Sequence, residues 1–375
     1  MPDTSGFIPV NEPLLDGNEH RYLAQCIKTG WISSEGPFVE RFEQAMAARV
    51  GKRFGIAVTN GTAALEAAVA ALNLAPGDEV ILPAFTIISC AAAVVRCGAT
   101  PVLVDCDPLT WNMDVAQVAA RITPRTRALM PVHLYGLPVD MAPLMELAQQ
   151  HGLAVIEDAA EAIGQTCAGK PCGGIGHLGV FSFYPNKHVT TGEGGMIITD
   201  DPDLAERCRS LRNLCFQPGR RFVHEELGWN LRMTNLQAAL GVAQLERLDE
   251  FLARKRAIGA RYQRLLADVP GLQLPQAATP WADNVYWVFG VVLDETLGLT
   301  VPEAMQRLHR EGIGTRPFFW PMHEQPVFMR MGLFREERHP HAERLARRGF
   351  YLPSGLALRD EHIERAAAAL RSVLA

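Results

Sequence analysis

Ala154-Val155-Ile156-Glu157-Asp158-Ala159-Ala160 reads as a short apolar strand ending on two carboxylates, followed by residues, with Gly164 soon after, small enough for a flat group to approach. Ligands of open α/β sheets sit at the carboxyl ends of the strands, where Asp158 falls. An aspartate there also serves as the N-cap of a following helix, so the residue has two readings.

Outward from this strand, short β-branched runs alternate with helical stretches. Strands are expected at Gly55 to Thr59, Glu79 to Leu82, Pro101 to Val104, Ala128 to Val132, Ala154 to Glu157, Val180 to Phe183 and Met196 to Thr199. The intervening helices read as Thr62 to Leu74, Ile87 to Val95, Val115 to Ile122 and Met141 to His151. Such alternation predicts an α/β fold with a mostly parallel, mixed sheet covered by helices. A long helical pattern from Asn235 to about Asp268 then connects to a smaller C-terminal α+β domain. That domain is expected to hold a strand from Val285 to Leu293, a helix from Pro302 to Glu311 and a closing helix near Glu361 to Leu374. The boundary is placed near residue 250, giving a large domain over 1–250 and a small one over 251–375.

Only five of the 36 basic residues are lysines, and one of them, Lys187, lies in Tyr184-Pro185-Asn186-Lys187-His188-Val189-Thr190-Thr191-Gly192-Glu193-Gly194-Gly195. It is held between an aromatic strand and glycine-rich backbone. Most lysines are solvated; a desolvated amine has its neutral form favoured and becomes a nucleophile toward carbonyls. An amine of this kind together with a carboxylate on the preceding strand is what pyridoxal 5'-phosphate requires. Lys187 is the Schiff-base candidate, and Asp158 would keep the pyridine nitrogen protonated, which makes the ring an electron sink. Val58-Thr59-Asn60-Gly61-Thr62-Ala63-Ala64-Leu65 supplies a strand, a glycine turn and a helix N-terminus with free N–H groups for the phosphate, and Ser182 adds a hydroxyl. Alone, the Gly61-Thr62 turn could equally be simple capping.

Lys+Arg 36 against Asp+Glu 41 leaves a net charge of −5, which does not advertise binding to nucleic acid or an anionic membrane. No apolar run approaches a membrane span, and Met1 to Gly6 lacks the basic and apolar pattern of a leader, so a cytoplasmic protein is expected. The eight cysteines form no C-x-x-C pair and are expected to be reduced and mostly buried.

The combined motifs resemble the DegT/DnrJ/StrS family of sugar aminotransferases, fold-type-I pyridoxal phosphate enzymes. They include Trp31-Ile32-Ser33-Ser34-Glu35-Gly36-Pro37, Asn60-Gly61-Thr62, Pro131-Val132-His133-Leu134-Tyr135-Gly136, Glu157-Asp158-Ala159-Ala160-Glu161, Thr190-Thr191-Gly192-Glu193-Gly194-Gly195 and Asn230-Leu231-Arg232-Met233. Ile122-Thr123-Pro124-Arg125-Thr126 and the run from Arg316 to His323 are similar to members that aminate 4-keto-6-deoxyhexoses carried on GDP. The resemblance implies that Gly61, Thr62, Ala63 and Ser182 bind the cofactor phosphate and that Glu161 lies by the ring's 3-hydroxyl. It implies that Asn230 reaches the phosphate from a neighbouring subunit, so that a homodimer shares its active sites. It further implies L-glutamate as amino donor and a nucleotide-linked keto sugar as acceptor. Relatives often stack an aromatic residue on the ring where this chain has Ile87. A pyridoxal-phosphate-binding regulator without turnover and a lyase acting on amino acids are the competing readings.

Arg316, Trp320 and His323 bring a cation, a flat ring and an imidazole within eight residues and are candidates for the edge of the substrate pocket. Arg220 and Arg221 could bind a diphosphate or could simply be exposed. Gly174-Ile175-Gly176-His177-Leu178-Gly179 matches G-x-G-x-x-G but precedes a strand and opens no helix, so it is not read as a dinucleotide site. His339-Pro340-His341 reads as a solvated face, Met329, Met331 and Phe334 as packing residues, and no metal is expected.

Overall fold

A computed structural model describes residues 6–217 and 219–374. Met1 to Ser5, most of the stretch read above for a leader, lie outside it. Two helices come first, α1 (Glu19–Thr29) and α2 (Pro37–Val50). They are followed by β1 (Phe54–Val58), α3 (Gly61–Ala71), β2 (Glu79–Pro83), α4 (Ile88–Arg96), β3 (Thr100–Val104), β4 (Thr126–Leu129), α5 (Met141–His151) and β5 (Ala154–Asp158). A small hairpin, β6 (Thr166–Cys167) and β7 (Lys170–Pro171), leads into β8 (Leu178–Ser182), β9 (Gly195–Thr199) and α6 (Pro202–Arg212).

Seven of these strands form one sheet in the order β1-β9-β8-β5-β4-β2-β3, in which β9 alone runs against its neighbours. Successive residues feed opposite faces, as the two-residue strand period requires. Ile56 and Val58 pack into one core and Ala57 into the other; Val80 and Leu82 alternate with Ile81 in the same way. Both faces are covered, which is why the strands read as unbroken apolar runs. Helix α3, rich in alanine, is buried along most of its length and lies close to β8 and β9; Asn60 caps it by accepting from the Ala63 N–H at 2.8 Å.

The chain continues through α7 (Asn235–Leu245), α8 (Leu248–Leu266), β10 (Leu272–Gln273), β11 (Ala278–Thr279), β12 (Ala282–Asp283), β13 (Phe289–Leu293) and α9 (Val301–Arg310). It ends with β14 (Arg316–Pro317), α10 (Pro326–Arg330), α11 (Pro340–Arg348), β15 (Gly349–Leu352) and α12 (Asp360–Leu374). An antiparallel sheet, β10-β13-β15-β14, carries a third core with α8, α9 and α12. The fold class is the one expected, a mostly parallel α/β sheet followed by a smaller α+β unit. Ile8 is buried in that third core, with backbone bonds of 2.8 Å to Gly312 and Gly314, so the N-terminal segment packs on the C-terminal sheet.

Several expectations are corrected. Val115 to Ile122 is two 3₁₀ turns rather than a helix: Asp114 caps the Ala116 N–H, and Thr123-Pro124 stops the run before a longer helix can form. The pattern from Asn235 to Asp268 breaks at Glu246 and Arg247, with no proline or glycine to mark it. There Glu246 accepts from Tyr22, Arg41 and Asn18, so packing of α1 and α2 overrides helix propensity. The strand expected from Val285 begins only at Phe289; Val285 bonds instead to Gly136 across the large sheet's loops, and Tyr286 turns at φ +52°. His339 is buried and bonded to Glu337 rather than solvated, while Met329 and Met331 are exposed and only Phe334 packs inside. Seven cysteines are buried, Cys97 is partly so, and all eight are unpaired. No helix among the described residues is long and apolar enough to cross a membrane.

Candidate active site

A cavity of about 710 Å³ opens where the parallel strands end, between the first turn of α3, the tip of β5 and the loop joining β8 to β9. Gly61, Thr62, Ala63, Asp158, Glu161, Ser182 and Lys187 all line it. Backbone bonds to Pro131 and His133 on one side and β8 on the other hold Asp158 rigidly. Its Oδ1 accepts the Ala160 N–H at 3.0 Å and its Oδ2 faces the Cys90 thiol at 3.3 Å. No helix begins after it, so the capping role is not the one it plays. Burial pushes the Asp158 carboxyl up; the Ala160 and Cys90 hydrogen bonds and the Lys187 charge pull it back.

The Lys187 side chain is 10% exposed, and its Nζ lies 3.5 Å from Glu161 Oε1 and 3.8 Å from the centre of the Trp287 ring. Desolvation lowers its pKa against the opposing pull of Glu161 and Asp158, so a neutral amine is easier to reach than on the surface. Glu161 is also held by the Tyr135 N–H at 2.9 Å, and burial pushes it up to about 7 although the lysine opposes this.

At the other end of the cavity, Asn60 takes the Ala63 N–H and leaves the N–H groups of Gly61 and Thr62 at the helix tip. A side chain at Gly61 would start 2.7 Å from Ser182 Cβ, so glycine keeps the tip open beside the serine hydroxyl. Gly195 is required as well, since a Cβ there would come within 2.4 Å of the Asn60 carbonyl. Thr62 and Ser89 hydroxyls meet at 2.8 Å. Ile87, at the start of α4, lines the cavity and is 42% exposed.

The remaining candidates stand apart from the cavity in this chain. Asn230 is exposed, its Oδ1 accepting from Arg232 at 2.9 Å. Arg316 is exposed, Trp320 lies under the Arg347 guanidinium at 5.3 Å, and His323 is buried, 3.2 Å from Glu343. From the same stretch it is Phe319 that lines the cavity, together with Trp287 and Tyr351. Arg220 pairs with Glu225 at 2.8 Å, and Arg221 lies over Phe216 at 5.6 Å. His188 is fully buried and does not line the cavity.

Sequence reasoning missed a network beneath Asp158. His133 Nδ1 accepts the Val139 N–H at 3.1 Å, so its proton sits on Nε2 and is donated to Glu157 Oε1 at 2.9 Å. Glu157 also accepts the N–H groups of Gly173, Ile175 and Gly176 at 2.6 to 2.9 Å. Burial alone would raise the Glu157 pKa; the His133 and backbone bonds outweigh it and keep the carboxylate charged. Two residues of the apparent nucleotide motif, Ile175 and Gly176, with Gly173 just before it, therefore bind a carboxylate of their own chain. Position 133 was legible only as part of a motif, because its partners are brought in by the fold.

The geometry has close counterparts. The chain is 46% identical over 367 residues to GDP-perosamine synthase of Caulobacter vibrioides, covering 98% of each chain. It is 39% identical over 357 residues to GDP-perosamine synthase of Escherichia coli O157:H7, covering 95% of this chain and 96% of that one. The crystal structure of the aminotransferase TlmJ from Streptoalloteichus hindustanus superposes with a TM-score of 0.91 at 32% identity, over 98% of both chains. With the profile of the DegT/DnrJ/EryC1/StrS aminotransferase family matching residues 13–371 across both sheets, the chain belongs to that family.

Proposed function

We propose that this protein is a cytoplasmic, homodimeric sugar aminotransferase that uses pyridoxal 5'-phosphate to move an amino group from L-glutamate to a nucleotide-linked keto sugar. A 4-keto-6-deoxyhexose carried on GDP is the acceptor favoured by the similarity to two GDP-perosamine synthases. The single observation that carries the reading is a desolvated amine, Lys187, and a buried carboxylate, Asp158, lining one cavity together with a helix N-terminus.

The residues fit the cofactor on the structure's own terms. Asp158 Oδ2 has only a thiol, a weak donor, against it, and Asn186 Oδ1, on the cavity wall, has no partner among the described residues. When bound, pyridoxal phosphate supplies a carbonyl carbon that takes an amine and a ring that accepts the electron pair left by a departing Cα proton. The Gly61 and Thr62 N–H groups, with the Ser182 hydroxyl, would hold the phosphate at the helix tip. Asp158 would keep a proton on the ring nitrogen, and Glu161 would lie by the 3-hydroxyl. Lys187 Nζ takes the Cα proton of the donor and returns one to complete the transfer, a base made usable by burial. Donor and acceptor use the same cavity, so 2-oxoglutarate leaves before the sugar binds.

Adding L-glutamate to the cofactor-loaded protein is expected to bleach its visible absorbance with release of one equivalent of 2-oxoglutarate, and the keto sugar nucleotide to restore it. Absorbance unmoved by glutamate would leave the lyase or regulator readings standing in its place.

A second copy of the chain is supported by exposed apolar side chains between Phe222 and Trp229, where Phe222 is 82% and Leu227 90% exposed, and by the exposed Trp31 and Ile32. Asn230 follows Trp229 in this exposed stretch, which supports a role at a partner's phosphate site rather than its own. Dilution to monomer is accordingly expected to remove activity, and Asn230→Ala to weaken cofactor retention without dissociating the dimer. Sedimentation paired with activity over a concentration series checks this, and a fully active monomer would refute it.

A further inference from the structure

Lys255, on α8, is 1% exposed and has no carboxylate against its amine among the described residues. Its Nζ donates to two backbone carbonyls, those of Trp287 at 2.7 Å and Ser354 at 2.5 Å. A buried lysine is costly, since its cation loses water, and burial alone pushes this amine down to about 7. The two carbonyls it binds explain its presence. Residues 285–288 leave the large sheet's loops without joining a ladder, and the Ser354 loop follows β15; the amine bridges them where neither has a strand partner. Ser354 is tied further, its hydroxyl accepting the Phe289 N–H at 2.8 Å and its own N–H donating to Val10 at 3.0 Å. Tyr262, on the same helix, donates to the neighbouring Pro353 carbonyl at 3.0 Å.

The consequence reaches the cavity through Trp287. Its ring centre lies 3.8 Å from Lys187 Nζ, and its indole N–H donates at 2.7 Å to the carbonyl of Asn186, the residue before Lys187. The indole therefore packs the amine and braces the backbone that carries it. Tyr135 stacks at 6.0 Å from the indole, and Tyr351 lies 6.4 Å away, so the ring is also held from the side. Its main chain, by contrast, is anchored by the lysine. His188, both of whose ring nitrogens lack a partner among the described residues, occupies the buried space next to Lys187 without contributing such an anchor.

We propose that Lys255 is a positioning residue for amino transfer: by holding the Trp287 carbonyl to that of Ser354, it fixes the indole on Lys187 and sets where that amine sits. The inference rests on the reading of Lys187 given above. It assigns Lys255 no contact with substrate or cofactor.

A double-mutant cycle on the full dimer tests it, using Lys255→Met, Lys255→Arg, Trp287→Ala and Lys255→Met with Trp287→Ala. Lys255→Met is expected to lower kcat about tenfold with the glutamate KM little changed, the pattern of a displaced catalytic group. Lys255→Arg, which restores the donors, recovers most of that loss. In the Trp287→Ala background, Lys255→Met costs nothing further, because the two act as one unit. Independently of turnover, reductive methylation of Lys187 in the cofactor-free protein, followed by peptide mass spectrometry, is expected to run faster in Lys255→Met and in Trp287→Ala. Additive losses in kcat, or methylation rates equal to the parent's, would overturn the proposal. If Lys255→Met does not fold, Lys255→Gln, which keeps a donor for one carbonyl, is read by the same two criteria. A fully active Lys187→Ala protein would instead refute the underlying assignment, whichever way the Lys255 variants behave.

Discussion

Lys187→Ala is expected to reduce amino transfer by at least about 10⁴-fold, with the glutamate-dependent change in absorbance lost together with turnover. On the proposed mechanism two functions disappear with one side chain: the amine that would bind the cofactor's carbonyl and the base that would move the Cα proton. A tenfold change in rate corresponds to about 1.4 kcal/mol, so the expected loss is more than about 5 kcal/mol of transition-state stabilisation, beyond what a packing defect at a cavity wall supplies. The fold itself should survive. Lys187 borders the cavity and its burial is unfavourable to its own charge, so removing it takes away a desolvated cation rather than a core contact. Glu161, already pushed up to about 7, then loses the opposing cation and holds its proton more readily. Thermal melting close to that of the parent, together with vanished turnover, is the outcome sought. Turnover at parental rates in a sequence-verified variant would sink the mechanism.

Asp158→Asn should be the second most damaging change and should separate binding from chemistry. Asparagine matches aspartate in size, and its carbonyl oxygen can still accept the Ala160 N–H, so the cavity keeps its shape and the helix tip its anion site. The negative charge is what is lost. An amide does not hold a proton on a pyridine nitrogen, and the electron sink weakens accordingly. Activity is expected to fall about 10²- to 10⁴-fold while cofactor content, measured after denaturation, stays near one per chain. If activity and cofactor content fall together in proportion, Asp158 is acting as an anchor and its electronic role is disproved.

The sequence announced what depends on local pattern. Strands β1 to β3, β5, β8 and β9 were legible because each is built on an apolar run near turn residues, and Asp158, Lys187 and the Gly61-Thr62 turn fall at or just beyond their ends, where such sheets bind ligands. Strand β4, expected at Ala128 to Val132, lies at Thr126–Leu129 and includes the exposed Arg127. What remained hidden depends on distant partners. The break between α7 and α8 is caused by Glu246 meeting Tyr22 and Arg41, more than 200 residues earlier. Trp287, Phe319 and Tyr351 carry no motif; they reach the cavity because the C-terminal sheet is laid against the ends of the large one. Cys90 looked like one more buried cysteine, yet its thiol is the group facing Asp158 Oδ2. His339 misled because its charged neighbours are exposed while its own ring is packed edge-on against His323 at 4.9 Å.

The cradle around Glu157 bears on how glycine motifs are read. Backbone N–H groups that converge on one point attract any anion, and glycine spacing records only that they can converge. In this chain the anion arrives by covalent tether: Glu157 enters from β5 at an effective concentration no free nucleotide could match. The largely buried turn from Gly173 to Gly176 is thus a receptor with its ligand already attached, stapled to the strand that carries Asp158. A phosphate offered to it in solution would have to displace a buried carboxylate held by three backbone N–H groups and His133.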